Sequence, residues 1–215
     1  MRTRREPGTP AAAIVPAAGA SRRMGRPKLL LPYRGGTVLG TVVATLRAAG
    51  AAPIVVVAAA ADAELRAWCA AERPAAPGGL RLALNPAPER GMLSSIQEGL
   101  TALGGAAELA LSGAPLLICP GDLPALRPDT VAELLRRRQA TGARLAVPIY
   151  RGRRGHPLAI APALVAEIGG LDPGRGLRQL LDLHPGDLLE VDVDDPGCVA
   201  DVDTPADYQR SHQVR

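Results

Sequence analysis

Few features constrain this 215-residue chain as strongly as the run Ile54-Val55-Val56-Val57-Ala58. It is β-branched and has no polar alternation, the pattern of a strand buried on both faces of a parallel sheet. Ala12–Val15 reads as the strand before it in the chain and Leu80–Leu84 as the third strand. Between them, Val38, Leu39, Val42, Val43 and Leu46 recur at helical spacing, and Gly50 supplies a stop. Asp62 and Glu64 open a second helix through Cys69, with acid at the positive end of its dipole. A βαβαβ start of this kind predicts an α/β fold with a doubly wound, mostly parallel sheet.

The first strand runs into a loop of small residues carrying Gly19, Ser21, Arg23, Gly25 and Lys28. Small residues let the backbone approach a ligand, and successive N–H groups in such a turn form an anion-binding concavity. Arg22, Arg23, Arg26 and Lys28 add charges suited to phosphate. The loop therefore reads as a nucleoside triphosphate cradle, the alternative being a solvated basic loop. It has neither Gly-x-x-x-x-Gly-Lys-Ser/Thr nor Gly-x-Gly-x-x-Gly, which excludes a P-loop and the dinucleotide fingerprint.

Further along, Leu93, Ile96, Leu100 and Leu103 mark a helix beginning near Ser94. Two roles are open to Ser94 and Ser95, a helix cap or a ligand contact. The apolar run Pro115–Pro120 ends in Gly121-Asp122-Leu123-Pro124. Ligands of open α/β sheets lie outside the carboxyl ends of strands, so Asp122 is favoured as a metal-binding carboxylate over a simple turn former. A helix from Pro128 to Gly142 and a strand from Arg144 to Ile149 follow. Arg151-Gly152-Arg153-Arg154-Gly155-His156-Pro157 is a second Gly/Arg loop, suited to an anionic acceptor or to a basic hairpin tip. The proline after His156 implies a fixed, orienting imidazole. Leu158–Ile160 is the next strand, and Gly174-Arg175-Gly176 is a third such loop, opening a helix with Leu177, Leu180 and Leu181. Leu188–Val193 is the last strand. Asp201 and Asp203 alternate, so they share one face of extended chain, and Thr204 is placed to cap a final helix.

Composition narrows the function. With no Phe, one Trp and three Tyr, the core rests on Leu, Val, Ile and Ala. A nucleic-acid surface would interleave cations with aromatics, which are missing, so the formal charge of +4 is assigned to phosphate handling and an Arg-rich surface. Arg2, Arg4 and Arg5 fall in a flexible basic N-terminus, residues 1–11. Cys69, Cys119 and Cys198 form no Cys-x-x-Cys and fit neither a disulfide framework nor a zinc site. With no signal peptide and no apolar run of about 18 residues, the expectation is a cytoplasmic protein that engages no membrane.

Together these motifs resemble the molybdenum cofactor cytidylyltransferase branch of the MobA-like nucleotidyltransferases, from about Ala12 to Tyr208. The resemblance rests on Ala17–Gly25 with Pro27–Pro32, then on Asn85 with Gly91-Met92 and Ser95. Pro120–Pro124, Gly152–Pro157 and Asp201–Pro205 complete it. It implies one domain over 12–210 with a Rossmann-like α/β/α sandwich of the nucleotide-diphospho-sugar transferase type. It also implies Mg²⁺-dependent transfer of a nucleoside monophosphate to a molybdopterin-type phosphate. Arg23 and Lys28 would hold the triphosphate, and Asp122 with Asp203 or Asp201 the Mg²⁺. Ala18, Gly19, Ser21, Asn85, Ser95 and Gly121 would line the nucleotide pocket, and Arg153, Arg154 and His156 would face the acceptor. Ala17-Ala18-Gly19 leans to CTP, since the guanylyl branch has Ala-Gly-Gly there. Pro16 departs from that branch and is shared with the methylerythritol phosphate cytidylyltransferases, which carry Asp-Ala-Ala-Arg-Pro where this chain has Gly-Asp-Leu-Pro. Two other readings remain: a related transferase acting on another phosphorylated acceptor, and a cofactor-binding chaperone serving a molybdenum hydroxylase.

Overall fold

The computed structural model describes residues 10–19, 24, 27–72 and 79–212. The first half alternates as expected: β1 (Ala12–Pro16), a small hairpin of β2 (Pro32–Tyr33) and β3 (Gly36–Thr37), then α1 (Val38–Ala48). β4 (Ile54–Ala59), α2 (Ala63–Glu72) and β5 (Leu80–Asn85) follow. The middle carries α3 (Met92–Ala102), α4 (Gly105–Ser112), β6 (Leu116–Ile118) and α5 (Pro128–Thr141). The last third has β7 (Leu145–Tyr150), β8 (Arg153–Arg154), β9 (Leu158–Ile160), α6 (Pro162–Val165) and α7 (Arg178–Leu183). β10 (Leu188–Asp192) and α8 (Pro205–Ser211) close the described chain.

The main sheet has the order β10-β7-β9-β6-β1-β4-β5, with β8 paired to β7. β5, β4, β1 and β6 run parallel, as do β7 and β10, while β9 is antiparallel to both β6 and β7. Successive residues of the central strands face opposite cores. Ala13 and Val15 join α1, α2 and α5, whereas Ala12 and Ile14 join α3, α4, α6 and α7. The same split divides Ile54, Val56 and Ala58 from Val55 and Val57. The result is a three-layer α/β/α sandwich, and it explains why the apolar runs lack polar alternation. Each fully buried aliphatic side chain contributes about 1.5–3 kcal/mol, so a core without Phe is adequate when Leu, Ile and Val fill it. α3 lies directly on β1 because Gly99 has no side chain; a Cβ there would stand 2.7 Å from Ile14 Cγ2.

Two local expectations are corrected. α3 starts at Met92 rather than near Ser94, so neither serine is its cap. The Pro88–Arg90 turn and Gly91 lead straight into the helix, and Ser94 instead donates to the Gly91 carbonyl at 2.7 Å. α4 is absent from the sequence reading, because Gly104-Gly105 followed by alanines presents no clear apolar stripe, with only Leu109 buried. Thr204 caps α8 as expected, in a reciprocal capping box with Asp207.

Candidate active site

From β1 the chain steps outward through β4 to β5, then returns to place β6 on the other side of β1. Strand order therefore reverses beside β1, which opens a crevice above the carboxyl ends of β1 and β6. The loops that follow these strands are hydrogen-bonded to each other: Gly121 N–H donates to the Pro16 carbonyl at 3.3 Å. A pocket of about 280 Å³ fills the crevice, lined by Ala17, Ala18, Gly19, Lys28, Gly121 and Asp122, with Met92 and Ser95 from the start of α3.

Three segments far apart in sequence deliver the charged cluster at its floor. Lys28 Nζ donates to Asp122 Oδ2 at 2.6 Å and to Asp203 Oδ1 at 2.7 Å. Asp122 hangs on the turn after β6, and its carbonyl accepts from Val202 N–H at 2.9 Å, which docks the Asp201–Asp203 segment onto that turn. The Lys28 segment is fastened to α8 in turn. Tyr33, almost fully buried, donates its hydroxyl to the Ser211 carbonyl at 2.7 Å, and the Tyr208 hydroxyl donates to Pro32. The capping box then orients Asp203, whose N–H reaches Asp207 Oδ2 at 3.3 Å.

The electrostatics follow from this packing. The Lys28 side chain is 12% exposed, which does not fit the alternative of a freely solvated loop lysine. Burial works against its charge, but the Asp122 and Asp203 carboxylates outweigh that penalty and hold its pKa above the ordinary lysine value. Asp201 does not join the lysine cluster. It lines a second pocket beyond Asp122, where partial desolvation and then the neighbouring Asp203 and Asp122 carboxylates push its pKa up.

Two carboxylate oxygens converging on one ammonium form a hard-oxygen donor pair around a single point of positive charge. Such a pair suits a divalent ion that takes its remaining ligands from phosphate and water. Among the described residues there is no group of three or more His, Cys, Asp or Glu that could hold a metal ion.

Asn85 stands behind the pocket at the β1 loop instead of lining it. It is 1% exposed, donates to Ser94 Oγ at 2.8 Å and Ser95 Oγ at 3.0 Å, and accepts from Ala87 N–H. Its contribution is to orient Ser95, which does line the pocket. Ser21 and Arg23 lie outside the described residues.

A second pocket, about 320 Å³, lies on the other side of Asp122 and is lined by Arg153, Arg154, His156, Asp201 and Asp203. His156 is held by its backbone, whose N–H donates to the Cys198 carbonyl at 2.8 Å. Close packing fixes this junction, since a Cβ on Gly155 would stand 2.5 Å from the same carbonyl oxygen. Burial lowers the His156 pKa, an effect only partly offset by Asp122, so the ring is neutral near pH 7. Its Nδ1 is buried and has no hydrogen-bond partner among the described residues. Arg154 is engaged through Nε by Glu190 at 2.6 Å, which leaves the rest of its guanidinium to face the pocket. Asp195 is the functional-looking residue that sequence reasoning passed over; its only local signal is the Asp-Asp-Pro-Gly turn in which it sits. It is fully buried and accepts from Arg127 N–H, Thr130 Oγ1 and Gly197 N–H, so it anchors the segment leading to Asp203.

Comparison with known proteins places the chain in a family. The profile of the MobA-like NTP transferase domain matches residues 13–189. The molybdenum cofactor cytidylyltransferase of Escherichia coli K12 is 28% identical over 91% of this chain and 92% of its own. The nicotine blue oxidoreductase of Paenarthrobacter nicotinovorans is 31% identical over 89% of this chain and 91% of its own. The crystal structure of Rv0371c from Mycobacterium tuberculosis H37Rv superimposes with a TM-score of 0.72 at 27% identity, covering 97% of this chain and 100% of that one. Its complex with manganese superimposes with a TM-score of 0.66 at 26% identity, covering 96% and 100%.

Proposed function

This chain belongs to the MobA-like NTP transferase family and is a nucleotidyltransferase, and we propose that its reaction is Mg²⁺-dependent transfer of CMP from CTP to the phosphate of a molybdopterin-type cofactor. The observation that carries this reading is the Lys28–Asp122–Asp203 cluster, standing between a pocket made by the β1 loop and one rimmed by arginines. An oxygen of the acceptor phosphate forms a bond to the α-phosphorus of CTP. The bond from that phosphorus to the bridging oxygen breaks, and its electron pair leaves on pyrophosphate. The attacking phosphate is already an anion, so no side chain need remove a proton. Catalysis is then positioning and charge neutralisation.

Each residue has a role in that scheme. Ala18, Gly19 and Gly121 let the nucleotide approach the backbone, and Ser95, oriented by Asn85, contributes a hydroxyl. The Lys28 ammonium moves from the two carboxylates to the triphosphate, where it offsets charge on the leaving pyrophosphate. Arg23 is assigned to the same task by its motif. Asp122 and Asp203 would hold the Mg²⁺, which supplies positive charge against the phosphate oxygens. Asp203 is preferred to Asp201 because it shares a cation with Asp122. Arg153, Arg154 and neutral His156 would receive the acceptor phosphate without a competing proton transfer.

Similarity over nearly the full chain extends to a relative named as an oxidoreductase, so fold alone does not set the chemistry. The deciding experiment is pyrophosphate release with Mg²⁺, comparing CTP, GTP, ATP and UTP with and without molybdenum cofactor. Release that requires both CTP and the cofactor is expected. Release with another nucleotide would overturn the base assignment, and release with a different phosphate ester would overturn the acceptor.

A further inference from the structure

Beyond the pocket at Asp122 lies a larger cavity of about 890 Å³, sharing Met92, Pro120, Arg154 and His156 with it. Its floor is apolar, formed by Ile118, Val147, Leu158, Leu177 and Leu181. Its far rim is cationic, formed by Arg175 and Arg178. Glu190 also lines the cavity, where its Oε1 accepts from Arg154 Nε at 2.6 Å. Among the described residues Arg175 has one loose ion-pair partner, Asp182 at 3.7 Å, and no hydrogen bond or ion pair engages the Arg178 side chain.

The loop that presents these arginines is built, not merely exposed. Gln179 is buried, and its side-chain amide is wholly used on loop backbone. Nε2 donates to the Asp172 carbonyl at 2.7 Å and the Gly176 carbonyl at 2.8 Å, and Oε1 accepts from Asp172 N–H at 3.2 Å. Asp172 in turn accepts from Gly174 N–H at 2.8 Å through its carboxylate. A buried amide spent this way fixes the rim in place before any ligand arrives, which lowers the ordering cost of binding there.

We propose that Arg175 and Arg178 form a second anion subsite, so that the acceptor is a two-ended molecule. One end is the phosphate that reacts beside Asp122. A bulky, partly apolar body lies on the Leu158–Leu177 floor, and a second anionic group reaches the outer arginines. This inference rests on the reading of the enzyme as a transferase to a phosphorylated acceptor and specifies which acceptors suffice. A small phosphate ester would fill only the inner end of a cavity of this size.

The test is nucleotide-free binding of two probes, isolated molybdenum cofactor and glycerol 3-phosphate, to the wild-type protein and to Arg175→Glu/Arg178→Glu. Wild type is expected to bind the cofactor more tightly, and the double variant to lose that advantage by about tenfold or more while its affinity for glycerol 3-phosphate stays within about twofold. Retained Tm and CTP affinity in the variant tie the loss to the rim. Equal wild-type affinity for the two probes would overturn the subsite, as would undiminished cofactor binding by the variant. Neither result depends on which nucleotide supports pyrophosphate release, so this inference and the CTP assignment fail separately.

Discussion

Asp195 and Asp203 lie on the same C-terminal segment, yet the fold puts them to opposite uses. Asp195 is completely buried, and fixed donors satisfy it: two backbone N–H groups and the Thr130 hydroxyl at 2.6 Å, with Arg127 Nε farther off at 3.5 Å. The Asp203 side chain is 25% exposed and is balanced by the Lys28 ammonium at the end of a flexible stem. A carboxylate held by immobile dipoles has nothing to exchange and serves as a rivet. One held by a cation that can move is ready to trade that cation for another. What separates structure from chemistry here is the partner and not the residue type.

The comparison is broken most severely at Lys28. Lys28→Met is expected to lower kcat by about 10³-fold or more, as for loss of a principal charge-stabilising group, while the protein stays folded. The same variant leaves Asp122 and Asp203 without that counter-ion, so Mn²⁺ should bind the nucleotide-free protein about tenfold more tightly, read by calorimetry. Near-normal turnover would remove Lys28 from the chemistry. Unchanged Mn²⁺ affinity would mean that the two carboxylates are not the ion's ligands.

Asp195→Ala should show the converse. It strands several buried donors, so stability should fall by about 3 kcal/mol in urea unfolding. Turnover per folded molecule should fall far less than in Lys28→Met. A variant with wild-type stability would contradict the rivet.

The smallest effect sharpens the comparison in the second pocket, at His156. Burial, opposed only in part by Asp122, depresses the His156 pKa below its ordinary 6.5. The unfolded chain therefore binds a proton that the folded chain resists. Stability is unaffected above pH 6.5 and declines as pH falls below it. The Tm of wild type should drop on acidification more steeply than that of His156→Asn; parallel slopes would show that the buried ring contributes nothing to the pH dependence.

Much of this architecture is legible locally. Ile54–Ala58 and the apolar spacing of Val38–Leu46 become β4 and α1 within a residue or two. The Thr204 cap is equally plain, because capping depends on atoms only three residues away. The helix start at Met92 is obscured because Ser94, a good cap by type, is drawn instead to Gly91 and Asn85. For the candidate site, Asp122 and Lys28 stand out from their motifs, but the choice of Asp203 over Asp201 does not. Both aspartates share the alternating face of an extended segment, and only the docking of Val202 on Asp122 decides which one reaches the lysine.

By itself, then, the sequence determined the elements and the class of sheet, since burial on both faces and helical periodicity are written in runs of a few residues. It also marked the loops rich in glycine and arginine. Tertiary structure alone decided the cluster, in which Lys28 meets partners 94 and 175 residues away. Those meetings depend on β6 returning to the far side of β1 and on α8 clasping the β2–β3 hairpin. Both are outcomes of packing the whole core, which no local window of sequence contains.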